Sequence, residues 1–440
     1  MRLPLVAALI ALLVLGPAGA LAAKITGTPR ADRLVGTPRA DSIDGLAGND
    51  TISGLGGNDV LRGGPGRDRI YGGPGNDSIT VNGDGAPDVV ACGTGTDIVN
   101  ADLGDAVARD CEVTSRQIST DVLTGGGGQH ATEVEPDSFA FGQTIVATFQ
   151  VGRISDGGAI AIGVSTSTDG GAHWRSGLLP GMTSLSPQPG PDPRASDPTV
   201  GFDSAHGVWL ATALGISSTS FQVLVSRSQD GIQWSPPVVA ETGPADSLDK
   251  EWVACDNWPS SPNRGRCYLS YLEVGAKLIV TQTSTDGGLT WSLPVSTSIQ
   301  PAGDVEPNGA QPLPRPDGSV AVVYAVGTAE NEQGSDEGFQ LASLSAAVYS
   351  AMSTDGGASF PSNIEVASLL ESPTAGVRAP ALPSADVAAD GRLFVSWEDC
   401  RFDPTCRRDR IVLSTSADGV TWSPPAPIGP ATPGADQFVP

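Results

Sequence analysis

The chain has 440 residues, of which 56 are glycine and 36 are proline, and its formal net charge is −24 at pH 7. This length allows two or three domains with a sizeable core, and the charge argues against nucleic acid and anionic membrane surfaces as partners. The glycine and proline content, and the lack of a convincing amphipathic helix in the mature chain, predict an all-β protein.

Residues 1–22 have the pattern of a secretory signal peptide. Arg2 is followed by the apolar run 3–15 and by the small-residue sequence Ala20-Leu21-Ala22, which is typical of a cleavage site. The run is too short to span a bilayer stably, and no second apolar segment approaches the length of about 18 residues that a span needs. We therefore expect a secreted, extracellular protein with no membrane span, in a compartment where disulfides form.

From Gly27 onward the sequence repeats every nine residues. Each unit begins with glycine, has aspartate at its sixth position and has an aliphatic residue two positions later. The aspartates are Asp32, Asp41, Asp50, Asp59, Asp68 and Asp77. The first two units read Gly-Thr-Pro-Arg-Ala-Asp, which is typical of a degenerate cap, whereas Asp88 and Asp97 indicate a decaying continuation.

The repeat needs a cation for physical reasons. Each unit buries one aliphatic side chain, which contributes about 1.5–3 kcal/mol, while ordering each of its residues costs roughly 1–2 kcal/mol. If each unit is a turn plus a short strand, aspartates eighteen residues apart stack on one edge of a flattened coil. Their carboxylates, with glycine and asparagine turn carbonyls, form an oxygen cage suited to Ca²⁺. The expected ligands are the six aspartates together with Asn49, Asn58 and Asn76.

This repeat resembles the G-G-x-G-x-D-x-U-x nonapeptide of RTX, or haemolysin-type, calcium-binding proteins. The resemblance implies a parallel β-roll, which we expect over residues 24–114, and calcium as its cofactor. A flexible Gly/Asp-rich segment is the alternative interpretation. Residues 115–129 contain Thr124-Gly-Gly-Gly-Gly-Gln129 and are interpreted as a flexible linker.

Six cysteines fall into three local pairs. Sequence alone allows about fifteen connectivities. The local set is favoured because each bond would close one loop within its own module; it consists of Cys92–Cys111, Cys255–Cys267 and Cys400–Cys406. A thiolate–metal site is the alternative, although the cysteines lack paired CxxC spacing.

Residues 130–440 carry a second repeat, Ser-x-Asp-x-Gly-x-x-Trp or a close variant of it. Its five aspartates are Asp169, Asp230, Asp286, Asp355 and Asp418. In each copy the aspartate accepts hydrogen bonds from its own turn, the glycine supplies φ > 0, and the aromatic residue packs the turn onto the next sheet. The spacing of roughly 55–70 residues predicts a β-propeller with one four-stranded blade per repeat.

This second pattern resembles the Asp box, or bacterial neuraminidase repeat, of the sialidase superfamily of β-propellers. The resemblance implies six blades, with the Asp boxes on the face opposite the active site. Five blades are complete in the sequence, and residues 436–440 resemble the first strand of an incomplete sixth.

The end of the propeller opposite the Asp boxes is expected to hold a binding site. The starts of the first strands and the loops between second and third strands should meet there. Carboxylates with one or two arginines at such a mouth suit polyol and carboxylate recognition. The predicted ligand-binding residues are Glu135, Asp197, Glu251, Glu306, Arg153 and Glu398. The alternative interpretation is that these residues cap strands and satisfy loop backbones.

The sialidase resemblance also implies an arginine triad, a tyrosine nucleophile paired with glutamate, and an aspartate acid. The candidates are Arg378 and Arg401 for two of the arginines. For the nucleophile pair they are Tyr324 with Glu330 or Glu332, or Tyr271 with Glu273. The early Arg-Ile-Pro motif of catalytic members is absent, since Arg153-Ile154-Ser155 departs from it at the proline.

These features together predict a secreted, monomeric, calcium-binding protein whose propeller recognises an extracellular glycan or glycoprotein. An exo-α-sialidase or another glycoside hydrolase is one alternative. A non-catalytic adhesion or scaffold protein is another.

Overall fold

The computed structural model describes residues 22–83, 86–102, 104–119, 121, 123–301, 305–328, 346–370 and 382–429. In this part of the chain the regular elements are strands, which confirms the all-β prediction. None of its segments is a helix with the length and apolar character needed to cross a membrane. The chain divides into two compact units, Met1–Ile118 and Ser119–Pro440. The predicted signal sequence lies, up to residue 21, outside the described residues.

The first unit is a parallel β-roll. Its strands are β1 (Lys24–Thr26), β2 (Arg33–Val35), β3 (Ser42–Asp44), β4 (Thr51–Ser53), β5 (Val60–Arg62), β6 (Arg69–Pro74), β7 (Ser78–Thr80), β8 (Val89–Thr94), β9 (Ile98–Asp102), β10 (Ala106–Val107) and β11 (Val113–Gln117). The odd-numbered strands form one parallel sheet and the even-numbered strands form the other. Residues eighteen apart pair, as Ile25 with Ile43 and Ile43 with Leu61 show, so consecutive units alternate sides as expected.

The core of the roll is a column of aliphatic side chains that its strands point inward. Ile43, Ile52 and Leu61 are at most 1% exposed, and Val90 and Val99 continue the same column beyond the regular units. The last strand runs to Gln117, three residues past the expected boundary at residue 114.

The described residues of the second unit form five antiparallel blades of four strands each. The blades are β12 (Gln129–Phe141), β13 (Thr144–Arg153), β14 (Ala159–Ser167) and β15 (Arg175–Leu178); β16 (Arg194–Asp203), β17 (Val208–Ile216), β18 (Ser220–Ser228) and β19 (Val238–Pro244); β20 (Leu248–Cys255), β21 (Cys267–Glu273), β22 (Leu278–Ser284) and β23 (Val295–Ser296); β24 (Val305–Pro314), β25 (Val320–Thr328), β26 (Ala347–Ser353) and β27 (Ser362–Ser368); and β28 (Ser384–Val387), β29 (Leu393–Asp399), β30 (Arg410–Ser416) and β31 (Ala426–Pro427). This arrangement confirms the predicted propeller. The segment 436–440, predicted as part of a sixth blade, lies outside the described residues.

The first strands of neighbouring blades lie side by side around the axis. Side chains link them directly: Asp137 Oδ2 accepts the Val200 N–H at 2.8 Å, and Gln311 Oε1 accepts the Ala385 N–H at 2.8 Å. Apolar clusters fill the space between consecutive blades. The Asp-box turns join third to fourth strands, at the same end as the first–second turns, because Gly170 N–H donates to Gln143 O at 2.8 Å.

The three predicted disulfides, Cys92–Cys111, Cys255–Cys267 and Cys400–Cys406, are all present. The predicted linker, in contrast, has packed parts. Leu123 packs against Phe149 and Val151 of the first blade, and Asp121 Oδ2 lies 2.9 Å from His130 Nδ1. Its first residues belong to β11.

Candidate functional site

The aspartates of the roll stack in two columns. Asp50 Oδ1 accepts the Asp32 N–H at 2.8 Å on one edge, and Asp59 Oδ1 accepts the Asp41 N–H at 2.7 Å on the other. From Asp41 to Asp77 these aspartates are at most 3% exposed. The structure therefore brings the six predicted aspartates together as expected, although their service as calcium ligands remains a prediction.

Several of these carboxylates keep one oxygen without a donor. The buried Oδ2 atoms that lack a hydrogen-bond partner include those of Asp50, Asp59, Asp77 and Asp97. Burial raises the pKa of Asp59 to about 6, and the neighbouring carboxylates of Asp77 and Asp41 add to the rise. A buried carboxylate oxygen with no donor is unfavourable, and a bound cation removes that cost.

Turn carbonyls supply the remaining oxygens. Leu46 O lies 1.7 Å from the place that a Cβ on Gly64 would occupy, and Gly57 O lies 1.8 Å from that of Gly75. Only glycine permits this approach, which brings carbonyl oxygens between stacked turns. Carboxylates and turn carbonyls together are therefore the oxygen donors that the roll offers. Oxygen donors of this kind fit calcium.

The predicted asparagine ligands have a structural contact. Asn49 Oδ1 accepts the Arg67 N–H at 2.9 Å, and Asn58 Oδ1 accepts the Asn76 N–H at 2.9 Å. Asn76 Oδ1 accepts the Thr96 N–H at 3.0 Å. These amides tie each turn to the one stacked on it, and any ligand role of Asn49, Asn58 and Asn76 remains a prediction.

In the propeller, the first strands of four blades bulge at the same position, at the end opposite the Asp boxes. The pairing register shifts there in each of these blades. The bulged residue has a left-handed backbone, with φ of 52° at Glu135, 50° at Asp197, 52° at Lys250 and 66° at Gly309. Such φ values are uncommon for residues other than glycine. Lys250 and Gly309 thus occupy the positions at which the sequence analysis expected Glu251 and Glu306.

The side chains of three bulges converge. Lys250 Nζ donates to Asp197 Oδ1 and lies 4.0 Å from Glu135 Oε2. Arg153 Nη1 donates to Glu135 Oε1 at 2.9 Å, and Gln150 Nε2 donates to Glu135 Oε2. We call Glu135, Asp197, Asp249, Lys250 and Glu251 the mouth cluster.

Burial and charge perturb the mouth cluster strongly. Burial, followed by the charge of Asp197, raises the pKa of Asp249 to about 6. Burial also raises the pKa of Glu251 well above its ordinary value; this side chain is 1% exposed and neither carboxyl oxygen has a hydrogen-bond partner. Burial alone would lower the pKa of Lys250, but the surrounding carboxylates, Asp197 foremost, outweigh it and raise that pKa. The cluster therefore holds a cation among acids, and its environment favours a protonated Glu251.

The other predicted binding residues lie on the first strand of the fourth blade and the second strand of the fifth. Glu306 precedes Gly309 by three residues on β24, and Glu398 is buried on β29. Arg401 donates to Asp399 Oδ1 at 2.8 Å and to Asp399 Oδ2 at 2.7 Å. Its guanidinium also donates to the Ser368 carbonyl at the end of β27, so its donors join the fifth blade to the fourth.

The predicted tyrosine nucleophiles are buried. Tyr324 Oη donates to Asn363 Oδ1 at 2.7 Å and accepts the Ile299 N–H at 3.3 Å. Tyr271 contacts Glu241 at 3.5 Å rather than its predicted partner Glu273. Burial raises the pKa of both hydroxyls, which opposes nucleophilic use. The predicted partners Arg378, Glu330 and Glu332 lie outside the described residues.

Lys250 and Asp249 were missed by the sequence analysis. Glu251 was predicted instead of Lys250 because it is acidic, like Glu135 and Asp197 at the equivalent positions of the first two blades. The position along the first strand is the signal that could have found them. Two residues after three of the bulges stand Asp137, Thr199 and Gln311, which form hydrogen bonds to the next blade and so fix how the first strands align.

One known protein family matches part of the first unit. Residues 26–61 and 53–85 match the RTX calcium-binding nonapeptide repeat, which confirms calcium as the cofactor of the roll. No curated protein sequence matches the chain.

Similar solved structures include carbohydrate-active proteins. The α-L-arabinofuranosidase Arb93A of Fusarium graminearum is 16% identical over 68% of this chain and 82% of its own, with a TM-score of 0.44. An α-L-arabinanase of Penicillium chrysogenum is 16% identical over 68% and 82% of the two chains, with a TM-score of 0.44. The intramolecular trans-sialidase of Ruminococcus gnavus is 14% identical over 69% and 86%, with a TM-score of 0.46. Likeness at this level assigns neither substrate nor reaction to the present chain.

Proposed function

We propose that the propeller binds the sugar of an extracellular glycan or glycoprotein at the mouth cluster, in a secreted protein whose roll binds calcium. The observation that carries the proposal is the left-handed bulge shared by Glu135, Asp197 and Lys250. A non-glycine residue in this conformation costs on the order of 1–3 kcal/mol. Three consecutive blades contain this unfavourable conformation, and it brings two carboxyl groups and an ammonium group to one point, which is typical of a binding site.

The chemistry of the mouth cluster suits sugar hydroxyls. Carboxylates accept hydrogen bonds, while Lys250 and a protonated Glu251 donate them, and such alternation matches the neighbouring hydroxyls of a polyol. Arg153 and Lys250 are already paired with carboxylates. The described cluster therefore favours a neutral sugar over one that carries a carboxylate.

A glycan array probed with the full secreted chain in millimolar calcium tests this proposal. Lys250→Gln removes the central cation and is expected to weaken binding at least tenfold. Arg264→Gln is the matched control, because Arg264 is an exposed cation of the same blade in the first–second loop, at the Asp-box end. Equal loss of binding in both variants, or unchanged binding in Lys250→Gln, would contradict the proposal.

Glycoside hydrolysis is the second candidate function, because Asp249 and Glu251 are two carboxyls of the mouth cluster with raised pKa values. A carboxyl kept protonated by its surroundings is the usual general acid of such reactions. A panel of fluorogenic glycosides that includes a sialoside tests it, with turnover expected to disappear in Glu251→Gln. If the folded chain neither turns over a glycoside nor binds a glycan, an adhesion or scaffold protein becomes the favoured interpretation.

A further inference from the structure

The roll contains two kinds of turn. In the units that begin at Gly45, Gly54, Gly63 and Gly72, the second and fourth residues both have positive φ. They are Leu46 (71°), Gly48 (129°), Leu55 (77°), Gly57 (110°), Gly64 (93°), Gly66 (138°), Gly73 (109°) and Gly75 (147°). The turn that ends at Asp97 repeats this geometry at Gly93 and Gly95. In the first two units the same positions hold threonine and arginine, and these residues are not left-handed.

The aspartates of the two kinds of turn differ in their hydrogen-bond donors. In the first unit Thr28 N and Oγ1 donate to Asp32 Oδ2 at 2.5 and 2.9 Å. In the second, Thr37 N donates to Asp41 Oδ2 at 2.5 Å, and Thr37 Oγ1 donates to Asp41 Oδ1 at 3.0 Å. In the left-handed turn at Gly45 the corresponding amide, Leu46 N–H, instead donates to Asp44 at 3.2 Å. Its aspartate is left with a buried oxygen that has no donor.

Buried Oδ2 atoms without a donor are found on aspartates of the left-handed turns, and they include those of Asp50, Asp59, Asp77 and Asp97, whose exposed fractions lie between 0% and 2%. The carboxylates of the first two units thus have protein donors, whereas these four have an open coordination position. A cation would complete the coordination of these four carboxylates, whereas the carboxylates of the first two units do not need one.

The hydrogen bonds to asparagine side chains occur in the same left-handed turns. They bridge three gaps between stacked left-handed turns: 45–50 against 63–68, 54–59 against 72–77, and 72–77 against 92–97. The first two units have Ala31 and Ala40 at the asparagine position. Backbone handedness, open carboxylate oxygens and asparagine bridges therefore coincide in three gaps and are missing together from the first two units.

We propose that calcium binds in these three gaps, and that the two units at residues 27–41 form a metal-free cap in which threonine replaces the ion. The ligands in each gap are aspartate carboxylate and turn carbonyl oxygens. The family match covers residues 26–61 and so includes both kinds of turn. The distinction between loaded and capped units comes from the geometry of this chain.

A gain of binding tests the proposal most directly. The triple variant Thr37→Gly, Arg39→Gly, Ala40→Asn converts residues 36–41 to Gly-Gly-Pro-Gly-Asn-Asp, the sequence of residues 72–77. This creates a fourth gap of the loaded kind, between 36–41 and 54–59. Calorimetric titration of the full chain with calcium is expected to show one more bound ion per chain than the wild type. A folded variant with an unchanged number of ions would overturn the proposal.

A pair of loss variants keeps the test decisive if the triple variant does not fold. Asp97→Asn is expected to remove one calcium ion per chain, because Asp97 belongs to the gap between 72–77 and 92–97. Asp41→Asn is expected to remove none and to lower only the thermal stability of the roll. Loss of an ion in Asp41→Asn, or an unchanged number of ions in Asp97→Asn, would contradict the proposal. It would show that threonine donors and left-handed turns do not distinguish metal-free units from calcium-binding units.

Discussion

The Asp-box aspartates show how single side chains build the turns of the propeller. Asp355 Oδ2 accepts the Ser359 Oγ–H at 2.6 Å, while Oδ1 accepts the Ser353 Oγ–H at 2.7 Å and the Ser359 N–H at 2.9 Å. The hydrogen bonds from Ser359 and Ser353 lower the pKa of this carboxyl to about 2. The carboxylate thus accepts three hydrogen bonds from its own turn.

This lowered pKa gives Asp355 a defined pH dependence. A carboxyl whose pKa is lower in the folded than in the unfolded state stabilises the fold above its unfolded value near 4, and loses that effect as pH falls toward 2. Asp355→Asn should therefore reduce the free energy of unfolding by about 0.5–1.5 kcal/mol at pH 7, with a deficit that shrinks below pH 4. Urea unfolding followed by tryptophan fluorescence at pH 7, 4 and 3 measures this. Asp246→Asn, in the β19–β20 turn, is the control, and a deficit independent of pH would refute the assignment.

At the scale of elements, the blades are joined by donors that reach the next Asp-box turn. The acceptors are backbone carbonyls of those turns. The links are Thr166 Oγ1 to Gly231 O at 2.6 Å, Arg227 Nε to Gly287 O at 2.6 Å, Arg266 Nη1 to Gly356 O at 2.5 Å and Arg315 Nη2 to Ala417 O at 2.6 Å. In each link the donor belongs to the preceding blade, so every turn after the first is fixed by its neighbour.

Arg315 makes the fullest of these links. Its Nε also donates to Gly391 O at 3.0 Å, and the residue is 7% exposed. Arg315→Met is expected to lower the free energy of unfolding by about 3 kcal/mol, because buried carbonyls lose charged donors. Arg315→Lys should recover only part of this, since an ammonium does not span the same acceptors.

The control for Arg315 is Arg392→Met. Arg392 is exposed and its ion pair with Asp390 is 3.5 Å long, so a change within about 0.5 kcal/mol is expected. Both are measured by urea unfolding with tryptophan fluorescence. Equal effects of the two methionine variants would show that the link between blades contributes little.

The elements were predictable because their signals are local. The nine-residue period fixes turn, strand and inward side chain within each unit, and the Asp box fixes its turn through its own hydrogen bonds. The mouth cluster depends instead on where the first strand bulges, which is set by pairing with the second strand. Pro136 and Pro198 follow the bulge in two blades, but Glu251 and Ala310 follow it in the next two. No local pattern therefore identifies Lys250.

At the scale of the whole molecule, the two units are stabilised by different interactions. The core of the roll is one column of single aliphatic side chains between two sheets, with carboxylate oxygens buried beside it. In the described residues of the propeller, an apolar cluster lies between each pair of consecutive blades. Metal should therefore control the folding of the first unit and matter little to the core of the second.

Calcium removal from the full chain tests this division. All eight tryptophans lie between Trp174 and Trp422, in the second unit, so their fluorescence reports the propeller while far-ultraviolet circular dichroism reports both units. With chelator, we expect the circular dichroism to lose the contribution of the roll, since the open oxygens of buried aspartates then repel one another without a cation. The thermal transition seen by tryptophan fluorescence should stay within a few degrees of its value in millimolar calcium. Circular dichroism that ignores chelator would contradict the calcium dependence of the roll, and a collapse of both signals would show that the propeller clusters do not suffice to hold their unit.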